Sequence, residues 1–231
     1  MTARYAVYFA PAETTVLWQA ACRWLGRDPR SGAELPQPEV DGCPAERIIQ
    51  ITASPRMYGF HATLKPPFRL AAGCTAAQLA SAVRDLVARL QAFSVPQLSV
   101  TSLDGFLALQ PSSDDVRLNA LAGACVTGLD SFRRPPSAEE LQQRRVAGLS
   151  PRQKELLALF GYPYVLDQFR FHMTLTERLQ PADANLLAPW LRDYLANALA
   201  VPLRCDDVCL FVQDGPDKAF ALLQRFPLDI R

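Results

Sequence analysis

The sequence predicts an α+β fold of two pseudo-symmetric lobes, each an antiparallel sheet with helices on its outer face, and an active-site cleft between the lobes. The first observation is a repeated phrase, Phe-His-x-Thr-Leu, which occurs at 60–64 and at 171–175. The second is a pair of similar segments in the same order, FLALQ at 106–110 and FALLQ at 220–224. Two repeats in one order indicate an internal duplication, and duplicated halves are expected to form similar lobes.

Length and composition fit this organisation. The 231 residues are enough for one domain of two lobes, with repeat halves of about 1–112 and 113–231. A hydrophobic fraction of 49% with 20% charged residues is typical of a globular protein and excludes a disordered chain. We therefore expect a single bilobal domain over residues 1–231.

The first half alternates between strand and helix patterns. An amphipathic segment that ends at Gly26 predicts one helix, and a capping box formed by Thr75 and Gln78 predicts the start of another. Aromatic and β-branched runs predict the strands. The expected elements are a strand at 4–9, helices at 14–26 and 75–90, and strands at 97–102 and 105–110.

The second half repeats this plan with additions. Its expected elements are a short strand at 115–121 leading into a helix to about 131, a helix near 182–199 with a candidate break at Pro189, and strands at 203–213 and 218–225.

Two further segments lie outside the repeated plan. The stretch 135–162 is a helical insertion, with one helix capped by Ser137 together with Glu140 and another begun by Ser150. The loop 26–44 is dense in Gly and Pro, and we expect it at the surface, either disordered or as a lid over a site.

Charge and apolar content limit the partners. Lys and Arg number 24 against 23 for Asp and Glu, so a net charge of +1 makes long nucleic acid an unexpected partner and leaves a small anion compatible. The chain shows no membrane-length apolar run and no secretory leader, so we expect a cytoplasmic protein, and a monomer. Its six cysteines contain no C-x-x-C pair and are expected as reduced, buried side chains.

The histidine phrases carry the chemistry. In a strand, alternate side chains share a face, so each histidine phrase has one polar face. The polar face of the first phrase carries His61, Thr63 and Lys65, and that of the second carries Arg170, His172, Thr174 and Thr176. We expect these two faces to meet across the cleft between the lobes. The phenylalanines and leucines of the phrases then face the core.

This set of side chains suits phosphoryl transfer. An imidazole titrates near pH 6.5, so one histidine can accept a proton while the other donates one at the two ends of an in-line displacement. The hydroxyls of Thr63 and Thr174 can donate hydrogen bonds to phosphate oxygens, and Lys65 or Arg170 can offset the phosphate charge. No metal and no cofactor are required.

The paired motifs HATL at 61–64 and HMTL at 172–175 resemble those of the 2H phosphoesterase superfamily. The longer strings at 55–70 and 169–179 resemble the branch encoded with bacterial phosphonate-utilisation (carbon-phosphorus lyase) genes, and that resemblance spans nearly the whole chain. It implies a metal-independent cyclic phosphodiesterase that acts on a small-molecule cyclic phosphate, in particular that of a phosphorylated sugar such as a 5-phosphoribosyl 1,2-cyclic phosphate.

The resemblance also implies residue roles. His61 and His172 would be the acid and base in either order, and Thr63 and Thr174 would hold the phosphate. Superfamily motifs often continue with a hydroxyl residue, as Thr176 does here, whereas Lys65 departs from that pattern.

Other residues and functions stay open at this point. Arg56 and Tyr58 lie in a segment that we expect as a loop at the mouth of the pocket, where both are candidates for contact with the substrate. Tyr5 or Tyr8 is a candidate for the pocket wall, although packing in the core is favoured for both of these tyrosines. An RNA 2',3'-cyclic phosphate or 2'-5' phosphodiesterase or ligase is one alternative, and a non-catalytic nucleotide-binding module is another. A two-histidine metallohydrolase is disfavoured because neither phrase has a carboxylate on the histidine face before Glu177.

Overall fold

The computed structural model describes residues 3–137 and 148–229 and confirms the α+β class. Antiparallel strands form the centre of the molecule, and helices pack against them. The strands are β1 Arg4–Phe9, β2 Ala62–Phe68, β3 Phe93–Ser94, β4 Leu98–Leu103, β5 Phe106–Pro111, β6 Met173–Arg178, β7 Arg204–Cys205, β8 Asp207–Gln213 and β9 Ala221–Pro227.

The helices begin and end largely where their capping residues predict. Thr15 caps the first helix and Gly26 ends it in a left-handed conformation, while Thr75 and Gln78 form the expected capping box. Ser150 caps the helix predicted after it. The helices are α1 Val16–Leu25, α2 Ala45–Ile51, α3 Ala53–Tyr58, α4 Ala76–Val87, α5 Val116–Gly128, α6 Pro151–Phe160 and α7 Pro181–Leu199.

The main sheet has seven strands in the order β4-β5-β6-β2-β1-β8-β9. The hairpin β4–β5 from the first half of the chain pairs with β6 from the second half. The hairpin β8–β9 from the second half pairs with β1, which pairs in turn with β2. The strands of the two sequence halves are therefore interleaved between two groups of strands.

These two groups meet between β2 and β6 at a single residue pair, Ala62 with Met173. Both residues directly follow a histidine. Their side chains are buried on the face of the sheet that packs against the helices, together with Leu64 and Leu175. Trp24 of α1 fixes this packing, since its Nε1 donates a hydrogen bond of 2.8 Å to the backbone oxygen of Leu175.

Three elements differ from the sequence-based expectation. The predicted strand at 115–121 is wrong, because Asp115 accepts a hydrogen bond from the backbone N–H of Arg117 and starts α5 directly. The candidate break at Pro189 is also wrong, since α7 runs through it. The segment expected as a loop before the first histidine is helical over Ala53–Tyr58.

The loop 26–44 contains no helix or strand and lies against the edge of the sheet. Arg27 donates a hydrogen bond of 2.7 Å to the backbone oxygen of Phe220, and the N–H of Leu222 donates one of 2.9 Å to the oxygen of Pro29. The predicted helix capped by Ser137 and Glu140 falls on 138–147, outside the described residues. No helix in the described part of the chain is both long enough and apolar enough to cross a membrane.

Candidate active site

The two histidines flank the junction of the two strand groups. Ala62 lies opposite Met173 in an antiparallel pairing. Continuing this register by one residue on each side places His61 across from Thr174, and His172 across from Thr63. Each histidine therefore faces the threonine of the other phrase, as expected for a pseudo-twofold axis through the Ala62–Met173 pair.

Both imidazoles are held in the same way. Nδ1 of His61 lies 2.8 Å from the backbone oxygen of Gly59, and Nδ1 of His172 lies 2.8 Å from that of Arg170. A carbonyl can only accept, so Nδ1 carries the proton in each ring and Nε2 is left to act. In His61, Nε2 lies 3.1 Å from the hydroxyl of Thr63, which can donate to it.

The ring of His61 stacks on Tyr8, with a centroid separation of 3.7 Å and an interplanar angle of 22°. Burial lowers the pKa of His61 to about 4, and the positive charge of His172 also lowers it, while the hydrogen bond to Gly59 opposes the shift. At neutral pH this imidazole is therefore neutral, and its unprotonated Nε2 can accept a proton.

The ring of His172 lies 5.8 Å from that of Phe106 in β5. The pKa of His172 is also lowered, mainly by burial, while the hydrogen bond to the carbonyl of Arg170 and the nearby carboxylate of Asp104 oppose this shift. Asp104 lies in the turn between β4 and β5, so a strand hairpin of the first half supplies the charge next to the second histidine. The two imidazoles have unequal electrostatic surroundings.

A cavity of about 310 Å³ opens on this face of the sheet. His61, Thr63 and Thr174 contribute to its wall, which brings three of the four motif residues to one space. His172 adjoins this wall through Phe106. The other lining residues are Tyr8, Ser54, Pro55, Tyr58, Gly59, Pro66, Pro67, Tyr162, Thr176, Glu177 and Arg178.

Lys65 does not share the face of His61 and Thr63, and that expectation is wrong. Tyr8 lies opposite Thr63 while its neighbour Val7 lies opposite Lys65, so β2 has one extra residue at this point. Such a bulge ends the strict alternation of side chains. The side chain of Lys65 is 2% exposed, and its ammonium group donates to the backbone oxygen of Val126 at 2.9 Å and to Asp130 at 3.0 Å.

The other expected pocket residues separate into two groups. Tyr58 lines the cavity, with its ring 6.3 Å from that of His61. Thr176 also borders the cavity, but it is 1% exposed and its hydroxyl accepts a hydrogen bond from the N–H of Leu107. Arg56 points away, since its guanidinium donates to the backbone oxygen of Leu25 at 2.7 Å. The side chain of Arg170 is exposed.

Two residues of the site carry no motif signal. Tyr8 was favoured as a core residue, and it is fully buried, but it also lines the cavity against His61. Phe106 was noted only as part of the FLALQ repeat. Its position beside His172 depends on the pairing of β5 with β6, which joins distant parts of the chain. Among the described residues, no three His, Cys, Asp or Glu side chains form a cluster that could hold a metal ion.

A family model described as "Protein of unknown function (DUF1045)" matches residues 63–221, which is more than half of the chain. The chain belongs to the DUF1045 family. Thr63, His172 and Thr174 lie inside the DUF1045 match, and His61 lies two residues before its start.

Two curated relatives are both called "Ribose 1,5-bisphosphate phosphokinase PhnN". The protein of Janthinobacterium sp. (strain Marseille) is 39% identical over 228 residues, which is 97% of this DUF1045 chain and 50% of the relative. That of Laribacter hongkongensis (strain HLHK9) is 36% identical over 222 residues, 95% of this chain and 50% of the relative. The chain spans about half the length of the curated relatives it matches.

Distant similarities to solved structures also cover most of the chain. The crystal structure of E. coli LigT complexed with 3'-AMP matches with a TM-score of 0.44 and 13% identity, covering 99% of each chain. The structure of E. coli LigT complexed with phosphate matches with a TM-score of 0.45 and 12% identity, covering 98% of each chain.

Proposed function

We propose that this DUF1045 protein is a metal-independent phosphodiesterase of the 2H phosphoesterase type that opens the cyclic phosphate of a small phosphorylated sugar. The observation that carries the proposal is the matched pair of imidazoles. His61 and His172 hold their Nδ1 protons on backbone carbonyls in the same way, and each faces the threonine of the other phrase. Such a pair can serve both ends of an in-line displacement at one phosphorus.

The proposed reaction uses only side chains of this chain. A water molecule attacks phosphorus opposite the ester oxygen that leaves, and its proton passes to Nε2 of His61. Nε2–H of His172 gives its proton to the departing ester oxygen as that P–O bond breaks. The hydroxyls of Thr63 and Thr174 donate hydrogen bonds to the non-bridging oxygens, whose charge grows in the transition state.

The assignment of base and acid follows from the surroundings of the two rings. His61 is the more readily neutral, because burial and the charge of His172 both lower its pKa. The carboxylate of Asp104 raises the pKa of His172 and so favours the charged form of that ring. The shared proton therefore belongs on His172, which makes His61 the base in the direction of ring opening.

The substrate class is supported by the matched relatives. Their name refers to a ribose bisphosphate, and a phosphorylated ribose with a 1,2-cyclic phosphate offers the bond that the two histidines could open. The kinase part of that name is not extended to this chain, whose sequence contains no G-x-x-x-x-G-K-[ST] phosphate loop.

Hydrolysis of cyclic phosphates in excess EDTA tests the proposal. We expect 5-phosphoribosyl 1,2-cyclic phosphate to be opened, and His61→Ala and His172→Ala each to lower kcat/KM by about 10²- to 10⁴-fold. Arg84→Gln is a matched surface control, since Arg84 is exposed on α4. Full activity in either histidine variant would refute the two-histidine scheme. Faster turnover of RNA 2',3'-cyclic phosphate ends would identify RNA, and not the phosphorylated sugar, as the substrate. Binding without turnover would favour a non-catalytic nucleotide-binding module.

A further inference from the structure

A second cavity of about 560 Å³ adjoins the candidate active site. The two cavities share four lining residues, Tyr58, Pro66, Pro67 and Tyr162, so they are compartments of one open space. The proposed reaction at the histidines uses only the smaller compartment. The larger one is therefore available for a part of the substrate that does not react.

The wall of the larger compartment is basic. Among the described residues, five cationic side chains line it and no carboxylate does; they are Arg4, Lys65, Arg69, Arg133 and Arg134. Lys65 and Arg133 both bond to Asp130, which neutralises part of this charge behind the wall. The net charge of the whole chain is only +1, so this concentration of positive charge is local.

Arg4 is the cation that carries the argument. Its Nε donates a hydrogen bond of 2.6 Å to the side-chain oxygen of Gln213, which is neutral, and its guanidinium lies 5.4 Å from the ring centre of Phe220. No carboxylate forms an ion pair with Arg4 within residues 3–137 and 148–229. A half-buried guanidinium whose partners are neutral is available to form an ion pair with an anion.

The hydroxyl of Tyr8 is the second, independent observation. Among the described residues it is the one buried side-chain N or O atom that has no hydrogen-bond partner. Burial raises the pKa of Tyr8, Tyr58 raises it further, and Arg4 lowers it. Tyr8 itself lines the smaller compartment. Its ring lies 6.2 Å from that of Phe220, which also contacts Tyr58 at 5.3 Å and the guanidinium of Arg4 at 5.4 Å. Tyr58 lines both compartments, so Tyr8 lies near their junction. A buried neutral phenol without a partner is a donor that lacks its acceptor.

We propose that the larger compartment is a subsite for a second, non-reacting phosphate of the substrate. This phosphate forms an ion pair with the guanidinium of Arg4 and accepts a hydrogen bond from the hydroxyl of Tyr8 at the junction with the smaller compartment. This inference rests on the proposed function, because it assigns the second half of the same substrate. The subsite orients the ligand, since Tyr8 also supports the ring of His61. An anion fits both observations at once, whereas a neutral sugar or base would leave the charge of Arg4 without a counterion.

Binding to a catalytically inactive protein tests the subsite separately from turnover. In the His172→Ala background, titration calorimetry would compare ribosyl 1,2-cyclic phosphate with and without its 5-phosphate. We expect the second phosphate to tighten binding at least about tenfold, as charge-assisted hydrogen bonds typically do. Arg4→Gln should remove most of this preference, and Tyr8→Phe should reduce it while keeping the aromatic ring against His61. Arg4→Lys should restore part of it.

Each outcome has a defined meaning. Arg84→Gln is the surface control and should keep the full preference, and thermal melting would establish that every variant is folded. An equal affinity for both ligands, or a preference that folded Arg4→Gln and Tyr8→Phe variants retain, would overturn the subsite. Equally tight binding of adenosine 2',3'-cyclic phosphate, which has no second phosphate, would also overturn it in favour of base recognition. Failure of the proposed function appears separately, as cyclic phosphates that bind but are not turned over by the unmodified enzyme.

Discussion

The two imidazoles share a hydrogen-bond arrangement but differ in the charges around them. The ring of His61 stacks on Tyr8, and the positive charge of His172 lowers its pKa. His172 itself lies near the carboxylate of Asp104. Like residues in a duplicated motif can thus take unlike roles, because the environment rather than the motif sets the protonation state.

A first prediction concerns Asp104. Its carboxylate raises the pKa of His172, so Asp104→Asn should move the basic limb of the kcat/KM profile to lower pH. Asparagine tolerates the positive φ of 48° at this turn, so the backbone should persist. Asp114→Asn, an exposed change at the other end of β5, is the control. An unmoved basic limb in Asp104→Asn would contradict the assignment of His172 as the acid.

A second prediction concerns stability. Burial lowers the pKa of His61 to about 4, so the unfolded chain binds more protons than the folded chain between that value and the ordinary histidine pKa near 6.5. Stability is therefore fully present above about pH 6.5 and is lost as the pH falls. His61→Gln removes this titration, so between pH 7 and pH 4.5 the variant should lose less free energy of unfolding than the unmodified protein. The difference should be at most about 3 kcal/mol, because the ring of His61 also borders the cavity. Urea unfolding at both pH values measures this, and equal losses in both proteins would refute it.

At the scale of elements, the sequence predicted those parts of the fold that local signals determine. The helix end at Gly26 and the caps at Thr75 and Ser150 placed three helices correctly. Alternation placed His61, Thr63 and Thr174 on the face that lines the cavity. Lys65 was misplaced because the bulge before it arises from pairing with β1, which no local pattern encodes. Phe106 was missed, and Tyr8 was only one of two candidates for the pocket wall, for the same reason. Contacts between distant strands bring both residues to the histidines.

The turn between α3 and β2 holds His61 in position through Gly59. Gly59 has a φ of 78° and a ψ of 171°, and a Cβ there would lie 2.7 Å from the Cβ of Pro29. Gly59→Ala should therefore cost about 1–3 kcal/mol and lower kcat, because the carbonyl of Gly59 also holds His61.

Gly73→Ala is the matched control for this turn. Gly73 has a similar φ of 81°, but nothing lies within 4 Å of the added Cβ. Thermal melting and steady-state kinetics would compare the two variants. Equal losses of stability and activity in both would show that contact with Pro29 and support of His61 are unimportant.

At the scale of the whole molecule, the strand groups do not follow the order of the chain. Each group contains strands from both sequence halves, and one hydrophobic cluster runs from Ala6 to Leu228. The sequence predicted two similar halves, but similarity of halves does not reveal how strands are exchanged between them. That exchange consists of pairings between strands that are distant in the chain, β5 with β6 and β1 with β8, and local patterns do not encode them.

Separated halves of the chain should therefore not fold alone. A fragment of residues 1–112 lacks β6 beside β5 and β8 beside β1, so both of its strand groups are incomplete. We expect this fragment and residues 113–231 each to show weak circular dichroism and no cooperative melting. Mixing or co-expressing them should restore both signals, whereas a cooperative transition in either fragment alone would show that the halves are independent.

The position of β8 and β9 after both histidine phrases has a consequence during synthesis. β8 pairs with β1, and β1 carries Tyr8, on which the ring of His61 stacks. The ribosome therefore completes both motif phrases before it makes the strands that support the first histidine. A product truncated before β8 would contain every motif residue and remain inactive.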